Sequence, residues 1–388
     1  MLAFLLLAFA APSAEAVDAI AKGFDHFYNI EYDQALAIFT QLAQANPNDP
    51  DSHTHIAQTL LYRDMYRAGA LESELVTGNN PFVQRQKVKL SDDDTARFDQ
   101  AIRKAMELSQ AKLGENPNDA RALYSLGVAY GLRANYNFLV RKAWTDALKD
   151  ATQARKNHNR VTEIDPKIVD AKLVQGAHDY VVGSLPFTYK MLGFLVGYRG
   201  DKDEGVRALK RVATEGANNR VDAQILLAAI YRRERRPEDA IPLLDEMIKK
   251  FPRNHLLRLE LVQMYADKGD KNAALEVLRK LEELKRGGQY PSMPIEKVYY
   301  SRGNLLFWYH DYDQALANLA RVTPRAKEID TNTGMNAWLR TGQSYDVKGE
   351  RKKATDAYWM AINSAPDSDA AKEAKKYVAS PYKRKKDS

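Results

Sequence analysis

A small residue and a proline twelve positions apart recur along this chain, at Ala35 and Pro47, Ala240 and Pro252, and Ala354 and Pro366. This spacing constrains the fold more than any other feature, because it marks helices that share a packing position and a stop signal. The stretch Val221 to Pro252 displays the unit most plainly, with Ala228 and Tyr231 on a first helix, a tight turn, then Ala240 opening a second helix that Pro252 ends. Small residues where two helices cross let the backbones approach, and large ones fill the space between neighbouring pairs. The string YDQALA at Tyr32 to Ala37 returns unchanged at Tyr312 to Ala317. Repetition at a period near ~34 residues marks a helical solenoid, and no alternating run competes as a strand.

The unit resembles a tetratricopeptide repeat. That resemblance implies an all-α, right-handed superhelical solenoid of about eight helix-turn-helix repeats with a C-terminal capping helix, binding a protein or peptide on its concave surface. The first repeat spans 18–47, with helices Ala19 to Asn29 and Tyr32 to Asn46. The second starts at Asp51 with a helix through Ala70, an irregular stretch from Thr77 to Leu90, and a helix from Ser91 to Gly114 whose Ser91-Asp92-Asp93-Asp94 start suits an N-cap and the helix dipole. The third, Asp119 to Pro166, has helices Ala122 to Asn135 and Val140 to Glu163, and the fourth, Ile168 to Asn219, carries an insertion. Four regular repeats follow, Val221 to Pro252, Asn254 to Arg286, Pro294 to Ile329 and Asn332 to Pro366, before a closing helix from Asp367 to Val378. The division expected is a leader at 1–16, irregular repeats at 17–217, regular repeats and cap at 218–379, and a disordered basic tail at 380–388. The Asn-Pro-Asn-Asp strings at Asn46 to Asp49 and Asn116 to Asp119, with Asp165-Pro166, read as turn and cap chemistry between repeats.

Residues 1–16, MLAFLLLAFAAPSAEA, form an apolar run ending in an A-x-A pattern at Ala14 and Ala16. They read as a secretory signal cleaved after Ala16, although no Lys or Arg precedes the apolar core. The run is shorter than the ~20 residues a bilayer span needs. Export to a periplasm or an extracellular space follows as the expectation. The chain has no cysteine, which excludes disulfides, thiol catalysis and a lipid-anchoring cysteine. A formal charge of +7, spread along the chain and ending in the basic run Lys383 to Lys386, reads as a solvated mixed surface and not a nucleic-acid footprint.

The insertion at Val181 to Gly205 is more apolar and aromatic than any other connection. Phe187, Met191, Phe194 and Tyr198 fall at helical spacing after Pro186, with Tyr189 between them. Such a helix either packs on the long helices of the second and third repeats or offers an apolar surface to a partner or a lipid headgroup region. The segment is also similar to a narrower family, the eukaryotic tetratricopeptide proteins of the outer mitochondrial membrane inclusion-body-clearance group. The matching residues are Leu185-Pro186, Met191-Leu192, Gly197-Tyr198-Arg199-Gly200-Asp201 and Gly205, about a tenth of the chain. Shape, and not function, is what this resemblance carries.

Catalytic motifs are missing: no P-loop, no glycine-rich dinucleotide turn after a strand, no HExxH. The histidines, His26, His53, His55, His158, His178, His255 and His310, are scattered over different repeats. His53 and His55, two apart on a helix, point away from each other and make no shared metal site. No cofactor is therefore expected. The run Arg232 to Arg236 ends a first helix, where cations suit the dipole. Alternatively, Arg232 and Arg236 converge with Arg207 and Arg211 to hold an acidic peptide or headgroup. Tyr299-Tyr300, Phe307-Trp308-Tyr309 and Tyr358-Trp359 are assigned to inter-repeat packing, with an aromatic recognition groove as the competing reading. The function expected is a non-catalytic scaffold or assembly factor of the cell envelope. The candidate partner-binding residues are Phe187, Tyr189, Met191, Phe194, Tyr198, Arg232 and Arg236. The alternative is a factor that touches a membrane surface through 181–205.

Overall fold

The computed structural model describes residues 14–71, 90–184 and 200–384. Among these residues there are seventeen α-helices and no strand. They form eight antiparallel pairs and a closing helix. The pairs are α1 (Ala14–Tyr28) with α2 (Tyr32–Ala45), α3 (Pro50–Arg67) with α4 (Asp92–Glu115), α5 (Ala120–Tyr136) with α6 (Trp144–Ile164), and α7 (Lys172–Gly183) with α8 (Lys202–Glu215). Then come α9 (Arg220–Arg233) with α10 (Pro237–Lys250), α11 (His255–Lys268) with α12 (Lys271–Arg286), α13 (Glu296–Trp308) with α14 (Tyr312–Leu319), α15 (Thr331–Val347) with α16 (Arg351–Ser364), and finally α17 (Asp369–Ala379). Each helix packs on the next, as the repeat pattern requires.

Small residues at the crossings do what their spacing implies. An added Cβ at Gly23 would stand 2.5 Å from the Phe39 ring, at Gly127 2.2 Å from the His158 ring, and at Gly342 2.4 Å from the Tyr358 ring. In each pair, a large side chain of the second helix lies on bare backbone of the first. The α7/α8 pair goes further and packs backbone on backbone: a Cβ at Gly205 would lie 2.5 Å from the Tyr180 amide nitrogen and 2.7 Å from the Gly176 carbonyl oxygen.

A shared turn geometry recurs after the first helix of six repeats. Its central residue takes a left-handed conformation at Ile30, Gly69, Arg235, Gly269, His310 and Gly349. The following amide then donates back across the helix end, from Glu31 to His26 O at 2.9 Å, Arg236 to Tyr231 O at 2.8 Å, Asp270 to Tyr265 O at 2.8 Å, and Asp311 to Leu306 O at 2.9 Å. This is the six-to-one closure of a helix C-terminus, where glycine avoids the steric cost of left-handed backbone. His310→Gly and Arg235→Gly, both at exposed positions, are each expected to raise stability by about 0.5–1 kcal/mol. Gly349→Ala is expected to lower it comparably. Thermal unfolding of the three variants checks the sign.

Three departures from the sequence expectation have physical reasons. The second helix of the third repeat begins at Trp144 and not at Val140, because Asn137–Arg141 form a π-helical turn. Buried Asp150 holds that wide turn by accepting from Asn137 at 3.0 Å and from Arg133 at 2.6 and 2.8 Å. In the seventh repeat α14 has only eight residues and gives way to a 3-10 turn at Thr323–Arg325, where Pro324 has no amide to donate. The tail, expected to be disordered from Ser380, is instead docked as far as Arg384. The Tyr382 amide donates to Asp346 at 2.8 Å, and Arg384 donates to the Trp308 carbonyl at 2.9 Å and lies over the Trp308 ring.

The stack also bends back on itself. Helix α1 meets the fifth and sixth repeats: the Tyr28 hydroxyl donates to Asp222 at 2.9 Å, Asn254 donates to the Tyr28 carbonyl at 2.8 Å, and the Arg253 amide donates to Asn29 at 2.9 Å. Arg253 adds ion pairs to Asp25 at 2.5 Å and Glu31 at 2.8 Å. The Tyr28 and Phe251 rings pack at 5.1 Å, so one core cluster joins Phe27, Tyr28 and Phe39 to Tyr231, Leu244 and Met247. Residues more than 190 positions apart are thereby neighbours, and the first five repeats with α11 surround a central space.

Candidate functional site: the cavity inside the ring

That central space is a cavity of about 2730 Å³. The first helices of successive repeats line it, through Phe24 of α1, Tyr62 of α3, Tyr124 of α5, Val174 of α7, Ala229 of α9 and Leu257 of α11. Each of these helices has one face on its own repeat and one on the interior, which is how a solenoid builds a concave surface. Eight large hydrophobic side chains are exposed among the described residues, and four of them, Val17, Leu148, Val181 and Ile225, line this cavity. Half of these exposed apolar groups therefore face the same interior, which they share with polar residues such as Asp51, Arg121 and Glu260.

The wall is mixed, with charged residues such as Asp51, Arg121, Arg233 and Glu260 beside the apolar ones, and one polar cluster joins several repeats. Asp222, at the third position of α9, accepts from Tyr28, and the hydroxyls of Tyr62 and Tyr124 stand near enough to feel its charge. Asn219 donates to the Tyr124 hydroxyl at 2.6 Å. Asp170 accepts the backbone amides of Ala217, Asn218 and Asn219 at 3.1, 3.0 and 2.7 Å, which fixes the start of α9. Burial pushes the Asp222 carboxyl up to about 6; the Tyr28 hydroxyl pulls the other way, and the Asp170 carboxylate adds to the rise. Burial likewise lifts the three tyrosines above their ordinary range.

The histidines nearby serve packing. His55 sits between the Phe24 and Phe39 rings at 4.9 and 5.0 Å, and His158 stacks on Tyr124 at 5.0 Å while its Nε2–H donates to the Tyr124 carbonyl at 3.2 Å. Burial lowers the pKa of His158 to about 4, and burial together with Lys297 and Lys285 lowers that of His255 to about 3. The unfolded chain binds these protons near the ordinary histidine value and the folded chain refuses them. Stability is therefore complete above pH 6.5 and is lost as pH falls toward 4. Two depressed histidines outweigh the opposite contribution of Asp222, so the urea midpoint is expected to drop on going from pH 7 to pH 4.5. His158→Gln is expected to reduce that drop.

Of the residues expected from sequence to bind a partner, Phe187, Tyr189, Met191, Phe194 and Tyr198 lie outside the described residues. Arg232 is 7% exposed and serves the stack, paired with Glu260 at 3.4 Å and Asp267 at 3.5 Å on the next repeat. Its burial corrects the expectation of an accessible cation. Arg236 is exposed, pairs with Asp239 at 2.5 Å and lies 5.0 Å over the Tyr231 ring. Arg211, expected to converge with them, pairs within its own helix with Glu215 at 2.8 Å. In the aromatic clusters Tyr299, Tyr300, Phe307 and Tyr358 are buried between helices, whereas Trp308 and Trp359 are exposed. The residues of the cavity centre escaped sequence reasoning because each has a local role: Asp222 reads as an N-terminal dipole acid, and Tyr28, Tyr62 and Tyr124 as packing aromatics.

Among the described residues no group of three or more His, Asp or Glu could hold a metal ion, and no helix is long and apolar enough to cross a membrane. A tetratricopeptide repeat model matches residues 221–264, the stretch in which the spacing is most regular. No curated protein sequence matches the chain. Among solved structures it is similar to a chain of the APC/C hetero-tetramer Cut9-Hcn1, at 13% identity and a TM-score of 0.50, with 95% of this chain covered. It spans only 57% of that chain's length. Further likenesses are to the human IFIT1 dimer with m7Gppp-AAAA, at 12% identity and a TM-score of 0.45 over 94% of this chain and 85% of that one, and to yeast Tom70, at 14% identity and 0.40 over 94% and 95%. The fold is that of a tetratricopeptide-repeat solenoid.

Proposed function

We propose that this chain is a non-catalytic scaffold of the cell envelope that holds a segment of another protein inside the ring formed by its first five repeats and α11. The observation that carries the reading is the cavity of about 2730 Å³, whose wall gathers half of the large hydrophobic side chains exposed among the described residues. Small-molecule pockets run to about 300–1,000 Å³, so a cavity several times larger suits a length of polypeptide. Solenoid repeats take such segments on their concave side as helices or extended chain. Export is supported by the apolar leader with its A-x-A pattern.

Panning a random dodecapeptide phage library on the immobilised protein tests this reading. Clones are expected that lose binding at least tenfold on Ala229→Trp, which places an indole in the cavity, with the far-ultraviolet circular dichroism unchanged. Clones that bind the Ala229→Trp variant as well as the parent would move the site elsewhere.

A further inference from the structure

Among the described residues, Asp222 is a carboxylate without a counter-charge. Its hydrogen-bond partner among the described residues is the Tyr28 hydroxyl, and no lysine, arginine or histidine contributes to holding it ionised. Its carboxylate neighbour Asp170 is already spent on three backbone amides. Around it stand three aromatic rings from three repeats, Tyr28, Tyr62 and Tyr124, and beyond them the mixed wall. Structural acids elsewhere in this chain are paired: Asp94 with Arg63, Asp150 with Arg133, Asp179 with Arg155, Asp330 with Lys297. A charge at a cavity wall that lacks the partner its peers have is poised for a ligand that brings one.

We propose that the protein segment held in the cavity carries a lysine or arginine side chain flanked by apolar residues, and that this cation sits against Asp222 among the rings of Tyr28, Tyr62 and Tyr124. The inference rests on the reading of the cavity as a polypeptide site. The cation forms a charge-assisted hydrogen bond to the carboxylate oxygen, and the tyrosine faces add cation–π attraction. Apolar residues on either side of the cation cover Ile225, Val181 and Leu148. A neutral or acidic segment would leave the Asp222 charge desolvated and unpaired, which is how the site discriminates.

The same panning experiment decides this point separately. Clones that depend on the open cavity are expected to share a basic residue between apolar ones. Synthetic peptides made from them are expected to bind Asp222→Asn at least tenfold more weakly in calorimetry, and to lose affinity again when their basic residue becomes glutamine. Affinity for the parent protein is also expected to fall below pH 6 as Asp222 takes up its proton; the other titratable groups facing it are Tyr28, Tyr62, Tyr124 and Asp170. Cavity-dependent clones without a basic residue, or peptides that bind Asp222→Asn unchanged, would overturn the inference while leaving the polypeptide site standing. A library that yields no cavity-dependent clone would overturn both. Because asparagine still accepts from Tyr28, the variant is expected to fold, and its melting curve confirms that loss of binding is not loss of structure.

Discussion

Gly205→Val is expected to destabilise the fold by about 3 kcal/mol, the upper range of overpacking costs. The reason lies in what the new side chain would meet. The three atoms nearest an added Cβ are the Tyr180 amide nitrogen at 2.5 Å, the Gly176 carbonyl oxygen at 2.7 Å and the Tyr180 Cα at 3.0 Å, all of them backbone. A flexible side chain could swing aside; a helix cannot. Helices α7 and α8 would have to separate, and with them Leu209, which is fully buried in the core shared with the ring closure. Gly114→Ala is the matched control, because nothing lies within 4 Å of its added Cβ. It is expected to gain about 0.5–1 kcal/mol from helix propensity alone. Urea unfolding of both variants, followed by circular dichroism, separates the two; equal midpoints would mean that α7 and α8 do not touch as described.

The second large effect runs against the usual direction of mutation. Asp222→Asn is expected to stabilise the protein at pH 7. A carboxyl raised from 3.8 to about 6 holds its proton more tightly folded than unfolded, so its contribution is favourable below pH 3.8 and is lost as pH rises through 6. A shift of that size corresponds to about 3 kcal/mol at most; water in the cavity screens part of it, and a gain of about 1–2 kcal/mol is expected. Asparagine keeps an oxygen for the Tyr28 hydroxyl and removes the charge. The melting temperature at pH 7 should rise, and the gap between variant and parent should close by pH 4. A variant that melts lower than the parent at pH 7 would show that the charge is already compensated within the fold. A residue that weakens the fold where it stands is one the fold did not select for itself, which is why the gain belongs with the loss of binding expected above.

Repeat architecture was legible in the sequence because it depends on local periodicity. The spacing of Ala240 to Pro252 and its counterparts marks α10, α2 and α16, with the alanine on the fourth residue of each helix and the proline two positions beyond its last. The caps were legible for the same reason: Ser91 accepts from the Asp94 amide at 3.1 Å, and Asp119 accepts from Ala122 at 3.0 Å. What the sequence could not reveal is where the stack returns to itself. Tyr28 and Asp222 are 194 positions apart, and their meeting depends on the rotation summed over the three intervening repeats. A small rotation per repeat accumulates, and no single residue encodes it. The surroundings of Arg232 were illegible on the same ground, because the acids it pairs with, Glu260 and Asp267, come from the next repeat. The candidate site was illegible because its members belong to four different repeats and each is locally ordinary.

Closure of the ring is the central claim, since the cavity exists only if α1 reaches the fifth and sixth repeats. The absence of cysteine in the chain permits two spin labels to be placed without background, at Lys22→Cys on α1 and Lys249→Cys on α10, both exposed and outside the closing contacts. Pulsed electron resonance on this pair should give one narrow distance distribution, centred on the separation of the two positions in the closed ring, and Arg253→Ala together with Tyr28→Phe should broaden it. A broad distribution in the parent protein, unchanged by those substitutions, would mean an open solenoid and would contradict the account.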